Sequence, residues 1–183
     1  MVFRTVVVGH SQTPTHIQGD QEYEYIILRK PGGLIRHLQY PPLNEVYNIE
    51  ADLIVFFIGG NDIVNFRNQP VTLASKIRDH LLELKQYARE VAFVSIENRV
   101  YQSGNRFGIS TQEYAHVRGR VNNNVRRFCR NHEIRFINVN RSVFIDNISP
   151  DGTHFNVAAN DELTYKIKRL AYHAQLRRLE GGW

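Results

Sequence analysis

The stretch Leu53-Ile54-Val55-Phe56-Phe57-Ile58-Gly59-Gly60-Asn61-Asp62 carries the clearest fold signal in this chain. Its apolar run Leu53–Phe57 predicts a buried strand, and the glycines that follow predict a sharp turn. Asn61 and Asp62 then present polar side chains just beyond the end of a strand. Parallel α/β sheets bind their ligands at this edge.

Further short runs rich in β-branched and aromatic residues alternate with helical patterns along the chain. The predicted strands are Phe3–Val8, Tyr25–Leu28, Leu53–Phe57, Val91–Ser95 and Arg135–Val139. Apolar residues recur at helical spacing over 73–84, 114–128 and about 158–179, and the second of these follows a capping box that begins at Ser110. This alternation predicts an α/β fold with three α/β/α layers and a mainly parallel five-stranded sheet of the flavodoxin-like kind. We expect one domain over residues 1–183.

Composition bounds the protein class. With 183 residues, 42% of them hydrophobic and 22% charged, the chain is an ordinary globular domain. No stretch approaches the ~20 apolar residues of a membrane span, and the N-terminus lacks the pattern of a signal peptide. The single cysteine, Cys129, excludes an intramolecular disulfide and favours a reducing, cytoplasmic location. The histidines show no metal-ligand spacing, so we expect no metal and no cofactor.

Three polar segments are expected to meet at the rim of the sheet: Gly9-His10-Ser11, Gly59–Asp62 and the Asp151–His154 loop. A serine hydroxyl needs an adjacent base to become a nucleophile, and His154 is the candidate base. Asp151 is placed to hold the imidazole in one tautomer. Taken singly, each segment is also typical of an ordinary turn or helix cap, so the prediction depends on their joint occurrence.

Serine attack on an ester creates an oxyanion that needs preorganised hydrogen-bond donors. The candidates are the backbone N–H of Ser11, a backbone N–H within Pro31-Gly32-Gly33, and the side-chain amide of Asn61. The segment Asn98–Gly108, which follows a predicted strand, either lines the site or is an ordinary surface loop. Both interpretations stay open from sequence.

Together these motifs resemble those of the SGNH (GDSL-like) hydrolases, over nearly the whole chain from Val6 to about Leu170. The family's Gly-Asp-Ser corresponds to Gly9-His10-Ser11, its Gly-x-Asn-Asp to Gly59–Asp62, and its Asp-x-x-His to Asp151–His154. The resemblance implies a serine esterase that forms an acyl-enzyme. The implied catalytic residues are Ser11, Asp151 and His154, and the implied oxyanion hole is formed by Ser11, Gly32 and Asn61, with Gly33 as the near alternative to Gly32.

One residue departs from the family pattern. His10 stands where the family has aspartate, which leaves open how the Ser11 loop is fixed. Within the family, Lys30–Ile35 and the stretch from Leu53 to Ile63 resemble the esterase domains of LINE-type retrotransposon first-open-reading-frame proteins. From the family motifs as a whole, the leading interpretation is an esterase that cleaves short acyl esters, acetyl esters above all, with a small-molecule or lipid ester as its substrate.

The alternative function is a nucleic-acid-binding module on the same fold, without significant catalysis. The net charge is +5, and basic residues concentrate in the second half of the chain. They are Arg118, Arg120, Arg126, Arg127, Arg130, Lys166, Lys168, Arg169, Arg177 and Arg178. Such residues either bind the phosphates of RNA or of a single strand, or they form ordinary solvated helix faces. A partner-binding domain with an incidental triad is a third interpretation.

Overall fold

The computed structural model describes residues 1–181 of the chain. All five predicted strands are present, and each neighbouring pair is parallel, so the prediction of an α/β fold with a mainly parallel sheet is confirmed. The strands run in the spatial order β2-β1-β3-β4-β5. Their bounds are β1 Phe3–Gly9, β2 Tyr23–Arg29, β3 Ala51–Phe57, β4 Ala88–Val94 and β5 Arg135–Ile137.

Helices cover both faces of the sheet, which gives the predicted three layers. They are α1 Pro70–Leu84, α2 Thr111–Asn131, α3 Ser142–Ile145 and α4 Val157–Glu180. Successive residues of a strand point to opposite faces, and the two hydrophobic cores divide the strands accordingly. Val6 and Phe56 pack with α1 and α2, whereas Val7 and Val55 pack with α4. Burial on both faces explains why these strands are continuous apolar runs rather than alternating ones.

The order of the strands places one crevice at the centre of the sheet. From β1 the chain moves outward to β2, and it then returns to build β3 on the other side of β1. Open α/β sheets bind ligands beyond the carboxyl ends of the strands at such a switch point. The segments that follow Gly9 and Phe57 therefore lie at this crevice.

Three short elements were not predicted: the 3-10 helices Ile35–Gln39 and Leu43–Asn48, and α3. Each is too short for apolar periodicity to reveal it. β5 also ends two residues before its predicted end at Val139. The reason is that Val139 donates its N–H to the Ser95 hydroxyl, at 2.9 Å, and so leaves the strand ladder.

Candidate active site

The chain turns away from the sheet directly after β1 and presents Ser11 at its edge. A Cβ at Gly9 would lie 2.7 Å from the Phe57 carbonyl oxygen, so only glycine fits at the end of this strand. His10 then donates its backbone N–H to the same Phe57 carbonyl, at 3.1 Å. Arg29 holds the next residue, because its guanidinium donates to the Ser11 carbonyl oxygen at 2.9 Å. The Ser11 backbone is therefore held from both neighbouring strands.

The structure brings Ser11, His154 and Asp151 together, although 143 residues separate the serine from the histidine. His154 Nε2 lies 3.2 Å from Ser11 Oγ, and His154 Nδ1 lies 2.6 Å from Asp151 Oδ2. This is the order of contacts in which an imidazole accepts a serine proton while a carboxylate fixes its other nitrogen. The His154 and Asp151 side chains are 47% and 50% exposed, so this part of the site is open to solvent.

The loop of Asp151 and His154 folds around the aspartate. Asp151 Oδ1 accepts the backbone N–H groups of Thr153 and His154, at 2.8 and 2.9 Å. Desolvation of the carboxyl opposes ionisation, but these N–H groups and the His154 imidazole outweigh it and lower the pKa of Asp151 to about 2. Asp151 is therefore anionic throughout the neutral range. Gly152 permits this turn, since its φ is +74° and a Cβ there would clash with the Val100 carbonyl.

Gln12 joins the serine loop to the histidine loop. Its Oε1 accepts the Phe155 backbone N–H at 2.8 Å, and its Nε2 donates to the Thr153 carbonyl oxygen. The Gln12 side chain is buried, so water does not compete for these contacts. Sequence reasoning missed this residue, because its partners lie more than 140 positions away.

The oxyanion side of the site is built around the turn Lys30–Gly33. Gly33 donates its N–H to Lys30 O at 2.9 Å, and Gly32 adopts a φ of +68°, the arrangement of a type II turn with Pro31 at its first central position. Within residues 1–181 the Gly32 N–H and the Ser11 N–H donate to no other group. The geometry therefore favours Gly32 over Gly33 as a donor to a substrate.

Asn61 lies beside that turn. Its Nδ2 donates to the Gly33 carbonyl oxygen at 3.0 Å, while a Cβ at Gly33 would lie 3.7 Å from the Cα of His10. The turn, the serine loop and the Gly-x-Asn-Asp segment, which carry the three predicted oxyanion-hole residues, are thus neighbours at the switch point.

Asp62, the next residue, points into the protein instead. It is 3% exposed, and both of its carboxylate oxygens lie within 3.3 Å of the Ile35 N–H. Desolvation by burial raises the pKa of Asp62 to about 7, against the opposing effects of the Ile35 N–H and of nearby arginines. Asp62 therefore anchors the segment that follows the Gly32 turn.

His10 holds the serine loop from inside the protein. Its ring is completely buried and packs on Phe57 with the ring centroids 4.7 Å apart. Nδ1 accepts the Gln12 backbone N–H at 3.1 Å, and Nε2 faces Glu97 Oε2 at 3.4 Å. A histidine at this position can therefore fix the loop by accepting a backbone hydrogen bond.

The segment after β4 does not behave as a surface loop throughout. Arg99 and Glu97 are 5% and 0% exposed, and they form an ion pair behind Asn61. A charged pair directly after an apolar strand is an available sequence signal, but it does not reveal the inward direction of the side chains. Residues 101–105 and Gly108 of this segment line a cavity of about 650 Å³ together with the start of α2.

At least five of the basic residues noted from sequence are engaged within the protein. Arg118 donates to Asn98 Oδ1, Arg177 forms a bidentate pair with Glu90, and Arg178 pairs with Asp52. Lys166 pairs with Glu162 at 3.5 Å, and the Lys168 ammonium lies 6.0 Å from the centroid of the Tyr25 ring. Within the described part of the chain, no group of three or more histidine, cysteine or acidic side chains is arranged to hold a metal ion. None of the helices described in the structure is both long enough and apolar enough to cross a membrane.

A family model for the GDSL-like lipases and acylhydrolases matches residues 34–167, which is more than half of the chain. The chain belongs to the GDSL-like lipase/acylhydrolase family. The matched segment contains Asn61, Asp151 and His154 and begins after Ser11 and Gly32. A comparison with curated protein sequences gave no match.

Solved structures of family proteins share the fold. A GDSL-like lipase from Bacteroides thetaiotaomicron has a TM-score of 0.71 at 17% identity, over 93% of this chain and 88% of that one. A lipase/acylhydrolase from Enterococcus faecalis gives 0.68 at 18%, over 92% and 94%. An acetyl xylan esterase, AlAXEase, gives 0.67 at 16%, over 92% and 99%. This GDSL-like fold therefore extends over nearly the whole chain.

Proposed function

We propose that this protein is a serine esterase that hydrolyses short acyl esters, acetyl esters above all, through an acyl-enzyme on Ser11. The observation that supports it best is the continuous chain of contacts from Ser11 Oγ through His154 to Asp151. Backbone and side-chain donors lie beside that serine with no competing acceptor for the Ser11 and Gly32 N–H groups among residues 1–181. Such donors stabilise the charge that develops in acyl transfer.

The proposed reaction has two halves. Ser11 Oγ attacks the ester carbonyl carbon while His154 Nε2 takes its proton, and the oxyanion is held by the Ser11 N–H, the Gly32 N–H and Asn61 Nδ2. The tetrahedral intermediate then collapses, and His154 donates the proton to the departing alcohol. A water molecule, deprotonated by His154, attacks the acyl-enzyme and releases the acid. Asp151 stays anionic and stabilises the imidazolium formed in each half.

Similarity to solved esterase structures favours acetyl as the acyl group of the substrate. The structures that share this fold include an acetyl xylan esterase and an acetyl-xylooligosaccharide esterase. The alcohol part of the substrate is proposed only as a class, a small molecule or a lipid. The link to the esterase domains of LINE-type retrotransposons rests on the motif sequences alone, and the cytoplasmic location rests on the single cysteine.

Hydrolysis of p-nitrophenyl esters from acetate to decanoate tests the proposal, with the wild type compared with Ser11→Ala. We expect the wild type to be fastest on acetate and Ser11→Ala to lose at least about 10⁴-fold in kcat/KM. Ser75→Ala is the matched control, since Ser75 is a partly exposed serine on α1 that takes part in none of the contacts of the site, and it should retain full activity. Equal rates in the wild type and in Ser11→Ala would refute the assignment, and a preference for decanoate would replace the acetyl pocket with a lipid site.

A second function, binding of single-stranded RNA, is favoured by a surface around β5. Two cavities share Phe136 and Asn138 of this edge region. Their basic lining residues are Arg118, Arg126, Arg141, Lys166 and Arg169. Lys166 pairs at 3.5 Å with Glu162, the acidic residue of this lining, and the four arginines remain in excess. A surface of this charge would bind phosphates, and its affinity would fall steeply with salt.

A fluorescence titration with a labelled single-stranded RNA at two salt concentrations tests this surface. Arg126→Glu/Arg169→Glu should weaken binding at low salt by at least about 10-fold and leave ester hydrolysis unchanged. Arg120→Glu/Arg127→Glu is the matched control, because those residues line a different cavity beside α1. Equal loss in both variants would indicate only a general effect of net charge and would refute a specific surface at β5.

A further inference from the structure

A buried chain of polar contacts lies directly behind Asn61. Arg99 Nη1 donates to Asn61 Oδ1 at 3.0 Å, and the same guanidinium donates to Glu97 Oε1 from Nε and Nη2, at 2.9 and 2.5 Å. Arg99 is 5% exposed and Glu97 is fully buried. These contacts are therefore shielded from water, where hydrogen bonds between charged groups are strongest.

The contacts of Asn61 leave its amide only one orientation. A guanidinium only donates hydrogen bonds, and a carbonyl oxygen only accepts them. Arg99 Nη1 must therefore face Oδ1, and the Gly33 carbonyl must face Nδ2. An amide nitrogen carries two hydrogens, so one remains after the bond to Gly33. Rotation of the amide by 180° would present an oxygen, instead of an N–H, to a developing negative charge.

Glu97 neutralises the buried charge of Arg99. An arginine removed from water needs a paired carboxylate with good hydrogen-bond geometry. Desolvation opposes ionisation of Glu97, but the charge of Arg99, the neighbouring His10 and a backbone hydrogen bond outweigh it and lower the pKa of Glu97, so the carboxylate is ionised. The Tyr114 ring, 5.7 Å from the guanidinium carbon, covers Arg99 from the side of α2. The second carboxylate oxygen of Glu97, Oε2, faces the buried His10 ring, with 3.4 Å between Oε2 and Nε2.

Gly60 ties the backbone of the Gly-x-Asn-Asp segment to the same pair. A Cβ at Gly60 would lie 2.4 Å from Glu97 Oε1 and 2.6 Å from Arg99 Nη2. Its backbone φ is not in the left-handed region, so contact rather than conformation requires glycine here. The ion pair therefore packs against the residue that directly precedes Asn61.

We propose that Arg99, anchored by Glu97, is a positioning residue that fixes the Asn61 amide with its free N–H toward the oxyanion. The inference rests on the proposed esterase function, because the oxyanion forms only during ester hydrolysis. Arg99 itself does not touch the substrate. It acts by excluding the flipped amide and by polarising Asn61 through Oδ1.

The test is a double-mutant cycle between Asn61 and the ion pair. Glu97→Leu/Arg99→Met removes both charges together, because loss of one partner alone leaves an uncompensated buried charge and endangers the fold. We expect this variant to lose roughly 10- to 100-fold in kcat on p-nitrophenyl acetate, with KM changed less than about 3-fold. In the Asn61→Ala background the same pair of substitutions should change kcat by less than about 3-fold.

The cycle separates positioning from a purely structural role. An ion pair that only supports the fold would cost the same factor in kcat with or without the Asn61 amide, and that result would overturn the inference. Wild-type kcat in a folded Glu97→Leu/Arg99→Met variant would overturn it as well. Glu90→Leu/Arg177→Met is the matched control, since it removes a bidentate pair with contacts of 2.9 and 2.7 Å elsewhere in the protein. It should leave kcat unchanged.

Gly60→Ala repeats the cycle without removing a charge, and it decides the matter if Glu97→Leu/Arg99→Met does not fold. Its added methyl group should displace the ion pair and lower kcat in the wild-type background, but not in the Asn61→Ala background. Equal loss in both backgrounds would overturn the inference. Failure of the proposed function is recognised separately, because the wild type and Ser11→Ala would then hydrolyse the ester equally.

Discussion

The two halves of the candidate site differ in how they meet solvent. The nucleophile half, defined as Ser11, His154 and Asp151, lies on loops, and its histidine and aspartate are about half exposed. The buried half, defined as Asn61 and Asp62 with Glu97 and Arg99 behind them, is buried except for part of Asn61. Gly32, another proposed oxyanion donor, is exposed and belongs to neither half. In the proposed reaction the first half moves a proton and admits water, whereas Asn61 of the second half holds an oxyanion donor in place.

The two aspartates of these halves show the physical consequence. Both carboxyls accept backbone N–H groups, yet the pKa of Asp151 falls to about 2 and that of Asp62 rises to about 7. Desolvation opposes ionisation at both, but it prevails only at Asp62, which is 3% exposed. We therefore expect substitutions in the exposed half to leave stability almost unchanged, and the buried half to make stability depend on pH.

The largest effect is expected in the exposed half. His154→Ala removes the base of the proposed reaction and should lower kcat by roughly 10⁴-fold or more. Because the imidazole is 47% exposed, the variant should melt within a few degrees of the wild type. Steady-state kinetics on p-nitrophenyl acetate measure kcat, and thermal unfolding measures the melting temperature. A large loss of thermal stability would show that this half also supports the fold and would break the comparison.

A smaller kinetic effect is expected at the boundary between the halves. Asn61→Ala removes one oxyanion donor, which typically costs about 10²- to 10³-fold in kcat. The loss should appear in kcat rather than in KM, because the donor acts mainly in the transition state. Steady-state kinetics over a range of acetate ester concentrations give both constants. A change confined to KM would mean that Asn61 only shapes the pocket.

The smallest effect is a pH dependence of stability in the buried half. In the unfolded chain Asp62 loses its proton near its ordinary pKa of 3.8, but in the folded protein it does so near 7. Between these values the folded state holds the extra proton, so the free energy of unfolding falls as the pH rises. We expect Asp62 to contribute a loss on the order of 2 kcal/mol between about pH 5 and about pH 8.

Asp62→Asn should abolish that contribution while its side-chain oxygen still accepts the Ile35 N–H. Urea unfolding of the wild type and Asp62→Asn at several pH values measures the difference between their slopes, which cancels the titration of all other groups. Parallel slopes for the two proteins would show that Asp62 ionises normally despite its burial.

Strands and the family motifs were predictable because their signals are local. The run Leu53–Phe57 shows its burial in its own composition, and Gly59–Asp62 forms one continuous segment. The positions of Arg99 and Gln12 were not predictable, because their contacts join residues 38 and 141 positions apart. The two 3-10 helices that follow the Gly32 turn were not predicted for a different reason. Elements of five or six residues are too short to show a periodic pattern of apolar residues.

The two hydrogen bonds between the Gln12 side chain and the histidine loop make the separation of that loop from the serine loop measurable. Phe155 is buried, and its amide hydrogen is donated to Gln12 Oε1. That hydrogen can exchange with deuterium only when the loop carrying the base leaves the loop carrying the nucleophile. When reclosing is faster than chemical exchange, the exchange rate at this single amide gives the free energy that holds the two loops together.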